Sequence, residues 1–481
     1  MTFVPRFPIL SCAFVAVVLA AACDNHSLIG QQSGTGGRGG GTPGTAGKGG
    51  DGAVGHGGTT GAAGAVGAAG IAGTGGVGGD AGTAGTAGAA GGGGSAGTGG
   101  IGGQAGAIVS ECPQQSAGSG GASFAFAAAV RYPTFRQPRG VALGDLDGDG
   151  KLDFATSNVL SLDAGAGGMT GSRGGASGTD PGSLSVLLSS ENYATPHHYA
   201  AGAQPFSVAI GDLNGDGKGD LAATNLRDVS ILFNAGGGSL GPAMNVSTGT
   251  NPQCLALGDV SGDGRIDMIV GNGGDGSGGD VAVLINTGTN AFGAANYPAG
   301  TRPLGVALGD LNGDGKADIA AASGTSVSVL LNGGTGVFGA PVSAGAGTNP
   351  ASIAVGDLNG DGEPDLAVAN SAIGGASVLL NVGNGTFTAA TNYAYPGTEG
   401  ILFPVALGDL NGDGKADLVV ASTCGIAVLP NAGNGTFGAA QPIFAGPGPG
   451  SIALGDVNGD GKLDVVFATL SDGVGVLLNV H

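Results

Sequence analysis

Past residue 123 the chain alternates short apolar runs with clusters of Gly, Asp and Asn, the pattern of short strands joined by tight turns. One stretch shows the unit. Residues 304–308 are apolar and lead into an acidic loop, and 318–322 follow it. Residues 326–331 then run to Asn332 and a Gly-rich turn, and 338–342 complete a set of four predicted strands. Several runs are apolar at nearly every position, such as Val229-Ser230-Ile231-Leu232-Phe233, which predicts strands buried on both faces. Ala and Gly along the first strand of each set suit a crowded inner ring.

The unit repeats. Aligned on the string GDLNGDGKxD, it occurs at 144–153, 211–220, 258–267, 309–318, 356–365, 408–417 and 455–464. Five of the six intervals between leading aspartates are 47 to 52 residues, and the first, of 67, contains a Gly/Ser-rich insert at 161–182. Seven four-stranded units predict an all-β fold, a seven-bladed β-propeller over residues 123–481. The seventh unit stops at its third strand, and residues 123–132 look like the missing fourth: Phe126-Ala127-Ala128 matches Phe292-Gly293-Ala294. The amino-terminal strand would complete the last blade, shutting the ring and leaving no exposed edge.

The units resemble the FG-GAP (VCBS-type) repeats of integrin α-subunit propellers and of many bacterial surface proteins. Phe338-Gly339-Ala340-Pro341 spells the motif, and the resemblance covers 123–481 in seven copies.

Each acidic loop has nine positions with oxygen side chains at 1, 3, 5 and 9 and Gly at 4 and 6, where the chain must bend tightly. Position 7 offers only its backbone carbonyl inward. The predicted ligands, in that order with position 7 included, are Asp145, Asp147, Asp149, Lys151 and Asp153 in the first loop and Asp212, Asn214, Asp216, Lys218 and Asp220 in the second. The third has Asp259, Ser261, Asp263, Arg265 and Asp267; the fourth has Asp310, Asn312, Asp314, Lys316 and Asp318. The fifth has Asp357, Asn359, Asp361, Glu363 and Asp365, and the sixth Asp409, Asn411, Asp413, Lys415 and Asp417. Asp456, Asn458, Asp460, Lys462 and Asp464 form the seventh. Hard oxygens alternating along a short turn suit Ca²⁺, which accepts six to eight with loose geometry, so up to seven ions are expected. The loops lack the His and Cys of a Zn²⁺ site. Ser261 makes the third loop the weakest, and Asp147 makes the first the most charged.

Charge then falls into place. The aspartates at positions 1, 5 and 9, with Asp147, number 22, against a net charge of −20 for the chain. The acidity belongs to the loops, and it argues against nucleic-acid binding.

Upstream, residues 1–22 read as a signal peptide: Arg6, an apolar run from Ile9 to Ala22, then small residues. Leu19-Ala20-Ala21-Ala22-Cys23 resembles a lipoprotein lipobox with its Leu one place early, so Cys23 is an expected lipidation site, the alternative being ordinary cleavage. Residues 23–122 form a Gly/Ala/Thr-rich linker in which Gly holds every third position from 49 to 106 with no Pro in the triplets. That is the collagen period without the residue that preorganises it, and a flexible spacer is the simpler reading. Three cysteines remain, Cys112, Cys254 and Cys424, with no paired spacing; Cys254 is expected to be a small buried filler.

These readings describe an exported, envelope-anchored or secreted chain whose only membrane contact is a lipid at Cys23. The resemblance implies a calcium-stabilised binding or adhesion module, with a protein or glycan partner on the face opposite the calcium loops. On that face Tyr199, Tyr297, Tyr393, Tyr395, Phe403, Arg136 and Arg302 are the large side chains; the tyrosines either meet a partner or pack between blades. The other reading is a propeller enzyme (hydrolase, lyase or dehydrogenase) or a lectin-like sugar binder using the central channel. His26, His56, His197, His198 and His481 sit in no nucleophile motif, and no cofactor other than Ca²⁺ is called for.

Overall fold

A computed structural model describes residues 124–481 apart from 136, 160–180, 275–277, 372–374, 396–403, 423–424, 444–448 and 470–472. The signal peptide, the linker with its Gly-X-Y period, Cys23, Cys112, Cys424, Arg136, Phe403 and most of the insert therefore lie outside the described residues.

Seven four-stranded antiparallel sheets form the blades. Blades 1 to 6 span 138–203, 208–247, 252–298, 303–345, 350–394 and 405–443. Blade 7 is made of Pro449–Gly455, Asp464–Thr469 and Gly473–Leu477 with Val130–Pro133 as its outer strand. Each inner strand packs on the inner strands of both neighbours, and blade 7 packs on blade 1, so the ring closes. The closing strand pairs Val130 with Val476 and Pro133 with Gly473, and Phe126 bridges Asn479 as Phe338 bridges Asn332 in blade 4. The matched phenylalanines in the sequence thus mark equivalent places, although the ladder proper begins four residues later.

The outer strand of blade 4 also starts late, at Val342–Gly345 and not at 338. Phe338 makes an isolated bridge before pairing resumes, and so does Phe387 in blade 5, whose segment has no proline. In blade 3, whose FGAANY segment also lacks a proline, the strand runs unbroken over Phe292–Pro298. Closure does not remove every edge, as the sequence reading expected. Each blade keeps one free outer edge, from three residues at Gln441–Ile443 to seven at His197–Ala203.

The core is divided into seven clusters, one in each seam between neighbouring blades. Strands buried on both faces supply two seams at once. In Asp318–Ser323, Ile319 and Ala321 face blade 3 while Ala320 and Ala322 face blade 5. This explains why the runs are apolar without alternation. Close approach at the centre explains the glycine before each loop. A Cβ on Gly258 would come within 2.7 Å of Leu308 Cδ1 in the next blade, and Gly309 stands in the same relation to Val355. Cys254 is buried as expected, opposite Gly271, where a Cβ would come within 2.1 Å of its sulfur.

Candidate metal centres in the acidic loops

Each loop joins the inner strand of a blade to its second strand, and its nine residues fold around their own carboxylates. Position 1 accepts the two glycine N–H groups: Gly148 and Gly150 donate to the two oxygens of Asp145 at 2.7 and 2.9 Å. Position 3 accepts from position 5, as Asp314 N–H does to Asn312 at 2.9 Å, and position 5 accepts from position 7. The glycines make the bend possible. Gly313 and Gly315 have φ of 74° and 81°, the left-handed region, and the same holds in all seven loops. A Cβ on Gly315 would meet nothing, so backbone conformation and not space demands glycine there.

In the first loop, oxygens of Asp145, Asp147 and Asp149 all lie within 4.8 Å of one another. The other loops carry Asn or Ser in place of Asp147. Ser261 hydroxyl donates to Asp259 at 3.3 Å, and Asp263 N–H turns to Asp259 at 3.3 Å in the third loop. Position 7, expected to offer only its carbonyl, also uses its side chain in four loops. Lys218, Arg265, Lys316 and Lys415 reach back to position 5 at 2.9, 2.6, 2.8 and 3.5 Å. The lysine contacts hold the carboxyls of Asp216 and Asp314 below the usual range, and the backbone N–H of Arg265, ahead of its side chain, does the same for Asp263. Lys151 stands 4.0 Å from Asp149, and Glu363 reverses the charge at this place in the fifth loop.

Position 9 differs from the rest: all seven of its aspartates are fully buried. One oxygen accepts the N–H of position 2 of the same loop, as Leu311 donates to Asp318 at 2.9 Å and Leu410 to Asp417 at 3.1 Å. In blades 2 to 7 the other accepts the N–H of an asparagine that opens the turn between third and outer strands. Burial pushes these carboxyls above the usual range, the N–H bonds oppose that, and the exposed aspartates of the same loop add to it. Asp417 is pushed up to about 6. Asp153 Oδ2 and Asp267 Oδ2 each accept two N–H groups, while an oxygen with a single N–H bond keeps a second lone pair that can face a cation.

The asparagines are the functional residues that the loop motif did not reveal. Asn234, Asn286, Asn332, Asn381, Asn431 and Asn479 each donate a side-chain amide backward to position 2 of the preceding blade's loop. The acceptors are the carbonyls of Leu146, Leu213, Val260, Leu311, Leu358 and Leu410, at 2.7 to 3.0 Å. The same amide also bonds its own loop, as Asn332 does to Ala317 O at 3.0 Å. Every acidic loop of blades 1 to 6 is thereby stapled to the next blade. A recurring Asn-x-Gly after the third strand was the available signal; in the last blade His481 stands where the Gly would be.

Of the two readings for the tyrosines, packing between blades is the one the structure shows. Tyr199, Tyr297 and Tyr393 point back to the staple turn of the next blade, donating to the carbonyls of Gly238, Gly336 and Gly435 at 3.0, 3.4 and 3.4 Å. Tyr297 and Tyr393 also set their rings edge-on to Phe338 and Phe437. Tyr395 is buried between blades 5 and 6. Arg302 remains exposed.

No curated protein sequence matches the chain. Among solved structures, the chain is similar to an Agrocybe aegerita lectin that recognises non-reducing terminal N-acetylglucosamine (19% identity, TM-score 0.43, 73% of this chain and 97% of that one). It is also similar to BBS1N in complex with ARL6DN, in crystals soaked with mercury and with lead. Both show 15% identity, TM-score 0.48 and 74% of this chain, with 97% and 96% of theirs. At these identities and TM-scores nothing about ligand or activity transfers. In sequence, the FG-GAP-like repeat matches at 212–270, 259–321, 310–368, 357–420 and 409–467, overlapping stretches that together cover more than half of the chain. With five matched repeats inside a seven-bladed ring, the chain belongs to the FG-GAP-like repeat family.

Proposed function

We propose that this protein is a calcium-stabilised binding module of the cell surface, which holds a protein or glycan partner on the propeller face opposite its acidic loops. The observation that carries the reading is the contrast between the faces. Loops and staple turns repeat one bonding scheme at six of the seven seams, whereas the connections on the other face vary. The second and third strands are joined by two residues, Gly324 and Thr325, in blade 4 and by residues 159–180 in blade 1. A uniform, cross-bonded face suits a structural role, and a varied one suits selective recognition.

Ca²⁺ fits the donor set. The side chains at positions 1, 3, 5 and 9 and the carbonyl at 7 would hold it, and the ion would supply charge neutralisation to carboxylates crowded around a buried aspartate. The Gly-rich segment and a lipid at Cys23 would tether the module and lift it from the envelope.

The test is a glycan array and a cell-adhesion assay, each with 1 mM Ca²⁺ and with EDTA. Binding that depends on Ca²⁺ and survives Asp314→Ala when the fold is intact supports the reading. Turnover of a glycoside by the same protein would replace it with an enzyme.

A further inference from the structure

Six seams of the ring carry the asparagine staple, and the seam between blades 7 and 1 does not. Ser189 occupies the staple position of blade 1. Its N–H donates to Asp153 at 2.7 Å, as the asparagine N–H groups do to their own position-9 aspartates. Its side chain ends in a hydroxyl, which turns to Asp149 of its own loop at 3.2 Å. Hence the position-9 bond is kept while no residue-189 amide crosses to the loop of blade 7. The burial of position 2 agrees. Val457 is only partly buried, whereas its six counterparts are at most 2% exposed.

The closing seam is held by different means. Phe154 and Tyr193 of blade 1 stack with centroids 4.2 Å apart and planes within 6°. Tyr132, from the strand that completes blade 7, meets Tyr193 edge-on at 5.2 Å. Val141 N–H also reaches Ser451 Oγ at 3.3 Å, a bond that Val405 and Ser352 repeat between blades 5 and 6 and that does not set this seam apart. Packing of this kind has no directional bond between the loop of blade 7 and the turn of blade 1, and an intramolecular amide bond shifts an opening equilibrium by about three- to ten-fold. Tyr132 lies on the closing strand, so the strand that completes blade 7 also supplies an aromatic contact to blade 1.

We infer that the ring opens first between blades 7 and 1, with the other six seams still stapled. The inference is independent of what the loops bind. It is tested by native-state hydrogen exchange with mass-spectrometric readout on the full chain, at one saturating Ca²⁺ concentration. Peptides of the blade 7 loop (456–464) and the blade 1 inner strand (138–144) should exchange about five-fold or more faster than the matching peptides at the seam of blades 3 and 4. Ser189→Asn should slow exchange at the closing seam by about the same factor, and Asn332→Ser should speed it between blades 3 and 4. Equal protection of the closing seam and the other seams in the wild-type chain overturns the inference, whether or not the variants fold. So does an Asn332→Ser chain whose local exchange is unchanged.

Discussion

On the face of the propeller that carries the acidic loops, the blades solve one problem in one way. A buried aspartate brackets position 2 of its loop and the head of the next turn, and an asparagine amide ties that turn to the blade before. On the opposite face the blades vary. Asn225 donates to Ser230, which donates to Asn245, and Asn370, Ser377 and Asn392 repeat that chain in blade 5. Blade 1 ends the chain in His198, blade 3 uses Asp280, and blade 4 has only serines. The repeated face holds neighbouring blades by one recurring bond, whereas the varied face joins them by bonds that differ from seam to seam, such as Ser157 to Phe206 O at 2.6 Å and Thr248 to Asn272 at 3.1 Å. Damage to the first should therefore cost more stability than changes on the second.

The largest effect is expected at position 9. Asp417→Ala leaves the N–H groups of Asn431 and Leu410 buried without acceptors, a loss of about 3–5 kcal/mol in urea unfolding at saturating Ca²⁺. Asp413→Ala, four residues away and exposed, should leave the midpoint in chelator where it was. If the two variants unfold alike, the distinction between bracket and cradle is wrong. Next comes the staple. Asn332→Ala abandons the carbonyls of Val260 and Ala317 and should cost about 1–3 kcal/mol by the same measurement. Smaller again, Gly315→Ala forces a Cβ into the left-handed region at φ 81° with no steric contact, about 1 kcal/mol.

The smallest effect belongs to the opposite face and depends on pH. Ser185 Oγ accepts from Asn158 at 2.8 Å and from Phe135 N–H at 3.4 Å, so its own proton goes to His198 Nδ1 at 2.9 Å. Burial, with His197 adjacent, lowers the His198 imidazole below its ordinary value. A depressed histidine contributes stability above its unfolded-state value and loses it as pH falls through the folded one. The unfolding midpoint should thus decline slightly more between pH 7 and 5 in the wild type than in His198→Asn. Parallel declines would remove His198 from the account.

Much of this was legible in the sequence because it is written seven times. The spacing of Asp145, Asp212 and their counterparts counted the blades, and Phe126 announced the closing strand before any contact was known. The staples were less legible. Asn332 looks like an ordinary turn residue, and its value lies in a carbonyl 72 residues away that only the ring brings near. The tyrosines were left open between a partner and a seam for a related reason. Sequence places Tyr199 on the connection side of its strand, but the hydroxyl finds Gly238 on the neighbouring blade. Position 9 reads as one ligand among several, and its burial follows from the second strand running inward between two blades.

The account stands on the loops being calcium-dependent locks of the ring. Differential scanning calorimetry of the full chain in 1 mM Ca²⁺ and in EDTA tests this most directly. Several sites filled at a hundred-fold excess over their dissociation constants, each adding about 2.7 kcal/mol, predict a melting temperature higher by about 10 °C or more with calcium. Superimposable melting curves in the two buffers would contradict it.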